Sequence, residues 1–242
     1  MTKKVGIISQ ARTGSSRLPG KVLKLVNGKT LLEYHLIRLR ETGYPVFVAT
    51  TIEPSDQAIV DLCAKLHVPC YRGSEAHVLS RYIDVIRAEK LDVVVRVTSD
   101  CPLIDPKLVR QGIDEFLKLD EERAYLSNAV ERTYARGFDF EITSAAMLEE
   151  ALALDTSPAS TEHVTAYLYS GRAPHLKQIH SKQAVDHSFM RVTVDEVSDF
   201  KLIEELIVKY HADKKSASEI EAILDTHHEL MAINREVEQK KI

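Results

Sequence analysis

Over the first 120 residues, short apolar runs alternate with segments of helical period, and few architectures accept that order. Residues 4–9 read as a buried strand, 46–51 as a β-branched strand and 68–71 as a short one. Residues 92–98 set Val93, Val94, Val95 and Val97 nearly in line, the pattern of a strand covered on both faces. Between these strands lie helices. Thr30-Leu31-Leu32-Glu33 is a capping box, followed by Leu32, Leu36, Ile37 and Leu39 along one helical face. Ser55 can cap a helix over 55–66, a third helix covers 76–90, and Pro106 opens a fourth over 106–119. Strand–helix–strand order predicts a mainly parallel sheet flanked by helices on both faces. Ligands bind such sheets at the carboxyl ends of the strands, here near Ser9, Thr51 and Ser99.

The second half is less regular. Strands are predicted over 124–127, 138–143 and 190–194, and helices over 145–154, 161–169, 197–211, 216–226 and 229–240. No repeat or linker interrupts the chain, so 1–242 reads as one domain. Lys+Arg number 32 and Asp+Glu 36, a net charge of −4 that speaks against a nucleic-acid-coating protein. No run approaches ~18 apolar residues, which speaks against a membrane span. The N-terminal apolar run ends at Ser9 and Gln10, too short for a signal peptide. Cys63, Cys70 and Cys101 lack CxxC spacing and predict neither disulfides nor a zinc site, which fits a cytoplasmic protein.

The balance of charge is uneven. Residues 1–40 hold nine Lys/Arg and one Glu. Three of those cations, Arg12, Arg17 and Lys21, lie on the loop Gln-Ala-Arg-Thr-Gly-Ser-Ser-Arg-Leu-Pro-Gly-Lys of residues 10–21, directly after the first strand. Gly14, Ser15 and Gly20 let backbone N–H groups approach a phosphate, and three cations can neutralise a triphosphate. The loop has neither Walker A nor GxGxxG spacing, which disfavours a P-loop NTPase and a Rossmann dehydrogenase. A solvated basic loop is the plain alternative.

Two carboxylates follow strands. Asp100 stands just past residues 92–98, and Asp195 ends the predicted strand 190–194. Paired with a basic loop, such carboxylates suit one or two Mg2+ ions on a triphosphate. Asp105 precedes Pro106 and reads as a helix cap, while Asp199 suits either a helix N-terminus or the site.

The string Ala11-Arg12-x-x-Ser15-x-Arg17-Leu18-Pro19-Gly20-Lys21 resembles the signature loop of the sugar-acid cytidylyltransferases, which include the CMP-sialic acid and CMP-KDO synthetases. The whole chain resembles most closely the spore coat polysaccharide biosynthesis protein F group of that superfamily. The resemblance implies a nucleotide-diphospho-sugar transferase fold, Rossmann-like, with a mixed, mainly parallel sheet. It implies CTP and a sugar acid as substrates and Mg2+ as cofactor, for the synthesis of surface polysaccharide or glycan. Arg12, Lys21 and Asp100 would be catalytic, and Asp100 and Asp195 would hold the metal. Ala11, Arg12, Gly14, Ser15, Arg17 and Lys21 would wrap the nucleotide. Gly73-Ser74-Glu75-Ala76-His77-Val78-Leu79-Ser80-Arg81 resembles a segment lying against it, with His77 where Asp is usual, so Ser74 and Arg81 join the nucleotide set.

For the sugar acid, Ala135-Arg136-Gly137-Phe138-Asp139-Phe140-Glu141 and Glu162-His163-Val164-Thr165 resemble two further family segments. Ala135 replaces a proline and Thr161 an arginine. Arg136, Glu141 and His163 are the implied sugar contacts, with helix capping an equal role for Glu162. Related synthetases pair, so a homodimer is expected, with residues 120–170 as the sugar-binding and dimer surface. Two other functions stay open on the residues alone. A glycosyltransferase of the same fold would use an Asp-x-Asp-like pair, of which Asp139-x-Glu141 is an echo. A non-catalytic nucleotide-binding protein would retain the loop without turnover. His227-His228 points two adjacent rings about 100° apart on a helix and suits no metal, and Tyr167 and Tyr169 read as packing residues.

Overall fold

In the computed structural model, residues 3–155 and 163–239 are described. The chain opens with β1 (Val5–Gln10), the hairpin strands β2 (Leu25–Val26) and β3 (Lys29–Thr30), and α1 (Leu31–Arg40). It continues through β4 (Val46–Thr51), α2 (Gln57–Lys65), β5 (Cys70–Gly73), α3 (Val78–Glu89), β6 (Val93–Thr98) and α4 (Pro106–Lys118). Then come β7 (Ala124–Ser127), β8 (Glu141–Ser144), α5 (Ala145–Leu154), α6 (Ala166–Tyr169) and β9 (Lys177–His180). The chain closes with α7 (Val197–Tyr210), α8 (Ala217–Thr226) and α9 (His228–Ala232).

Seven strands form one sheet in the order β5-β4-β1-β6-β8-β7-β9. β1 pairs in parallel with β4 and β6, β4 with β5, and β7 with β9, while β8 runs antiparallel to both β6 and β7. The mixed, mainly parallel sheet expected from the sequence is therefore the one observed. The strand period of two explains the core. Ile7, Val48 and Val95 pack into one buried cluster with Leu32, Leu36, Val109 and Ile113. Ile8, Phe47, Ala49 and Val94 point the other way, into a second cluster with Leu79, Tyr82 and Ile83. Tyr167 and Tyr169 pack on that second face, as predicted.

Local signals placed most helix starts. The Thr30 hydroxyl accepts from Glu33 N, and Ser216 accepts from Glu219 N in a second capping box. Asp105 caps α4 by accepting from Lys107 N and Leu108 N, and its other oxygen accepts from Ala217 N at 2.7 Å, which ties α8 to α4. Ser55 is not a cap; Pro54–Asp56 form a 3-10 turn before α2.

The irregular half departs further from expectation. Residues 190–194 form no ladder; a single bridge joins Arg191 to Arg136. Gly137 makes that crossing, since its φ is 116° and a Cβ there would sit 2.7 Å from the Val192 backbone carbon. The strand predicted over 138–143 begins at Glu141, and β9 has no counterpart in the prediction. Of the helix predicted over 161–169, Thr161 and Glu162 lie outside the described residues and the helix itself is Ala166–Tyr169. The last helix ends at Ala232, and Lys240 lies outside the described residues.

Candidate active site

The carboxyl ends of β1 and β6 open into a cavity of about 350 Å³. One wall is the basic loop. Leaving β1 at Gln10, the chain turns through Thr13, whose carbonyl accepts from Ser15 N at 2.8 Å and Gly20 N at 2.9 Å. Those two N–H groups are thus spent inside the loop, and charge toward a ligand rests on the side chains. Asp56 anchors the loop from outside. Its carboxylate accepts from the Thr13 backbone at 2.7 Å and hydroxyl at 2.6 Å, and from Thr50 and Thr51 at the end of β4. Burial acts to raise its pKa, but the Thr13 and Thr51 donors outweigh burial and hold it below the usual carboxylate range.

Lys21 lies at the foot of the loop, behind Gly20 with its left-handed φ of 66°. Its Nζ is 2.8 Å from Asp100 Oδ2 and 2.8 Å from Asp195 Oδ1. The two carboxylates come from distant segments, and backbone pairing brings them together: Val194 N donates to Asp100 O at 2.9 Å, and the Thr193 hydroxyl to the same oxygen at 3.1 Å. Arg17 reaches Asp195 Oδ2 at 3.2 Å and Glu196 Oε1 at 3.1 Å. Arg191 also binds Asp195, at 2.7 Å, and is itself fixed by the fully buried Asp199 at 2.9 Å. Asp199 further accepts from the backbone N–H of Asp195 and Glu196 and from Asn234. It is therefore the buried support of this turn.

These contacts set the protonation states. Burial acts to raise the Asp100 pKa, but Lys21 outweighs it and the net direction is down. Asp195 is likewise opposed by burial, yet Lys21, Arg191 and Arg17 hold it at about 2. Burial acts to lower the Lys21 pKa, and the two carboxylates raise it above its usual range. All three groups are charged at neutral pH.

Arg81 forms part of the opposite wall. It is 2% exposed, donates to Ser74 O at 2.8 Å and has a buried Nε without a hydrogen-bond partner. No carboxylate pairs with it among the described residues, and burial pulls its pKa down. A buried cation of this kind calls for an anionic or acceptor ligand.

The cavity gathers most of the residues singled out from sequence. Ala11, Arg12, Ser15, Arg17 and Lys21 line it from the loop; Arg81, Asp100, His163 and Asp195 line it from elsewhere. Arg12 stands 3.4 Å from Glu75. Gly14 is on the same loop but off the wall, and Ser74 meets the cavity only through its bond to Arg81.

Two implied sugar contacts lie off the cavity wall. Glu141 is buried, with Arg96 and Thr165 on its carboxylate and the Tyr125 hydroxyl donating to it, so its oxygens are taken within the fold. Burial opposes its ionisation and Arg96 outweighs it, so it stays charged. Arg136 sits off the cavity, where its backbone bonds to Met190 and Val192. Sequence did not single out Gln10, Thr98 or Ser99, which also line the cavity, although strand carboxyl ends were its stated place. Arg191 and Asp56 had no local signal; Gln239 belongs to the closing Gln239-Lys240 stretch of the family resemblance and was given no role there.

The same architecture recurs in known proteins. A cytidylyltransferase from Leptospira borgpetersenii serovar Hardjo-bovis superposes with a TM-score of 0.91 at 30% identity, covering 99% of this chain and 100% of that one. CMP:2-keto-3-deoxy-manno-octonic acid synthetase, solved complexed with CTP, shares the fold at a TM-score of 0.63 and 16% identity, covering 86% of this chain and 99% of its own. By sequence, spore coat polysaccharide biosynthesis protein SpsF of Bacillus subtilis is 30% identical over 90% of this chain and 92% of its own length. The cytidylyltransferase family pattern spans residues 5–242. With its basic loop and convergent carboxylates at the strand ends, this chain belongs to the cytidylyltransferase family of nucleotidyltransferases.

Proposed function

We infer that the whole chain works as one unit that activates a sugar acid with CTP, forming a CMP-sugar and releasing pyrophosphate. The observation that carries this reading is the placement of Lys21 between Asp100 and Asp195 inside a cavity lined by Arg12, Arg17 and Arg81. Support for CTP comes from the family and from the fold relative complexed with it. Support for polysaccharide synthesis comes from the SpsF relative.

A divalent cation fits Asp100 and Asp195. Both are oxygen donors suited to a hard ion, and one cationic group already reaches an oxygen of each at 2.8 Å. These two residues would hold Mg2+, which when bound neutralises triphosphate charge. In the reaction a sugar hydroxyl oxygen bonds to the α-phosphorus as its proton passes to solvent, the bond from that phosphorus to the bridging oxygen breaks, and pyrophosphate leaves with that electron pair. Arg12, Arg17 and Lys21 stabilise the charge gathering on the leaving group. Ala11, Gly14 and Ser15 shape the loop around the phosphates, and Ser74 holds Arg81 toward the nucleoside. His163 is the acceptor-side contact on the cavity wall.

The test is Mg2+-dependent pyrophosphate release, measured across nucleoside triphosphates and sugar acids. Release with CTP and one sugar acid supports the reading. Transfer of sugar from a nucleotide-sugar without pyrophosphate makes the chain a glycosyltransferase, and tight CTP binding without turnover makes it a binding protein. No helix among the described residues is long and apolar enough to cross a membrane, in keeping with a cytoplasmic enzyme using cytoplasmic CTP. A homodimer facing through residues 120–170 completes the proposal, and light scattering that gives a monomer removes it.

A further inference from the structure

The charges of Lys21, Arg17, Asp100 and Asp195 on the cavity wall are already matched within the protein, and the matching is specific. Lys21 serves both Asp100 and Asp195 at 2.8 Å. Arg17 serves Asp195 and Glu196 at 3.2 and 3.1 Å. The Lys21 side chain is only 11% exposed, so its two bonds are largely shielded from water. Of the three cations on Asp195, Arg191 is locked in place by two bonds to buried Asp199 and one to Gln239. Lys21 and Arg17, by contrast, come from the loop; Lys21 bonds only the two carboxylates, and Arg17 adds one bond to the Glu238 carbonyl at 3.3 Å. They are the exchangeable pair.

A metal ion and a triphosphate compete for these groups from opposite sides. A metal on Asp100 and Asp195 takes the oxygens that Lys21 uses, and like charges repel at that range. A triphosphate on Lys21 and Arg17 takes the cations that neutralise the carboxylates. Either ligand alone therefore leaves a poorly solvated charge without a counter-charge, the costly situation inside a protein. Both together exchange partners without stranding any charge: metal for ammonium on the carboxylates, phosphate for carboxylate on the ammonium.

We propose that Lys21 is the resident cation of the two-carboxylate site, and that its exchange for a divalent ion couples metal binding to triphosphate binding. This inference rests on the assignment of Asp100 and Asp195 to the metal, and it adds that neither ligand binds well alone. It makes Lys21 a positioning residue for the carboxylates as well as a phosphate contact. The stem of four methylenes lets the ammonium turn from one partner to the other without moving Gly20 or the backbone turn behind it.

The experiment uses Mn2+ as the metal probe and the full chain without nucleotide. Lys21→Met is expected to bind Mn2+ about tenfold more tightly than the unsubstituted protein, within the usual range of coupling between sites. Mn2+ should also raise the melting temperature of Lys21→Met more than that of the unsubstituted protein, because Asp100 is left without its cation and Asp195 loses one of its three. The reverse arm needs no folding rescue. The near-isosteric double variant Asp100→Asn, Asp195→Asn should bind CTP in EDTA about tenfold more tightly than the unsubstituted protein, since its loop cations are released. Equal Mn2+ affinity in Lys21→Met and unsubstituted protein, or unchanged metal-free CTP affinity in the double variant, overturns the inference. If those results accompany Mg2+-dependent turnover that Asp100→Asn abolishes, the metal assignment stands and only the exchange falls. If turnover survives Asp100→Asn, the metal assignment falls with it.

Discussion

The loop of residues 11–21 and the segment of residues 129–141 are both rich in charge, and they end in opposite situations. The loop carries Arg12, Arg17 and Lys21 with no acidic residue among them. Its cations find partners far along the chain, at Asp100, Asp195 and Glu196, across the wall of a cavity. The later segment finds its partners inside the fold. Arg132 pairs with Asp139 seven residues on, and Glu141 pairs with Arg96 on the neighbouring strand. Charge that meets its partner between packed elements is absorbed into the fold, and charge whose partners line a cavity is kept for a site. That is why the loop predicted its own place while Arg136 and Glu141 did not.

The largest expected effect tests the absorbed side. Glu141→Ala leaves the Arg96 guanidinium, 17% exposed, without its carboxylate, and breaking such a pair typically costs about 3–5 kcal/mol. Urea unfolding measures it. A variant of normal stability whose KM for the sugar acid rises would restore Glu141 to the acceptor site and break the comparison.

On the kept side, Asp100→Ala should retain the fold and lose on the order of 10²–10³-fold in kcat, the scale for removing one charge-stabilising group. Pyrophosphate release at saturating CTP checks it, and normal turnover removes Asp100 from the chemistry.

Beneath the loop lies a group that responds to acid while the loop does not. His35 Nδ1 faces Cys101 O at 2.8 Å and its Nε2 faces the Ser9 hydroxyl at 2.9 Å. Because a carbonyl only accepts, Nδ1 carries the proton. Burial lowers the His35 pKa to about 4 from 6.5, so the fold favours the neutral ring. The resulting stability is complete above pH 6.5 and drains as pH falls toward 4, by roughly 3 kcal/mol. Lys21 is raised above this window and Asp195 is held at about 2, so that pair contributes slope only toward the acid end, below about pH 5. Unfolding at pH 7 and pH 4.5 should show the loss, and His35→Gln should flatten it; an unchanged slope in that variant assigns the loss elsewhere.

The smallest effect concerns how the loop is held. Thr13→Ala removes the hydroxyl bond to Asp56 while keeping the backbone bond. Hydrogen bonds to charged groups contribute about 1.5–3 kcal/mol, and here the loss should appear as a KM for CTP raised roughly tenfold or less, with kcat nearly unchanged. A fall in kcat alone would mean that Asp56 positions the reacting groups and not just the loop.

Particular elements show what could be read in advance. The first strands and helices were legible because strand period, capping boxes and Pro106 act over a few residues. So was the pairing of Asp100 with Asp195, which rests on motifs at two strand-like ends. β9 was not legible, since residues 177–180 are half exposed and gain their pairing only from β7. Nor was the open extension of residues 190–194, where a β-branched run meets a single bridge instead of a partner strand. Asp56 carried no signal, because its role depends on Thr13, 43 residues earlier.

Sequence alone therefore determined the strands and helices of the first 120 residues apart from the short β2–β3 hairpin, and the basic loop after β1, and it singled out the two carboxylates. These follow from short-range patterning and from a charge left unbalanced within its own segment. Tertiary structure alone decided that Lys21 bridges Asp100 and Asp195, that Arg81 is buried without a carboxylate among the described residues, and that Glu141 is spent on Arg96. The reason is physical. The free energy of a buried charge depends on the groups brought beside it, and backbone pairing such as Val194 N to Asp100 O brings them from 94 residues away.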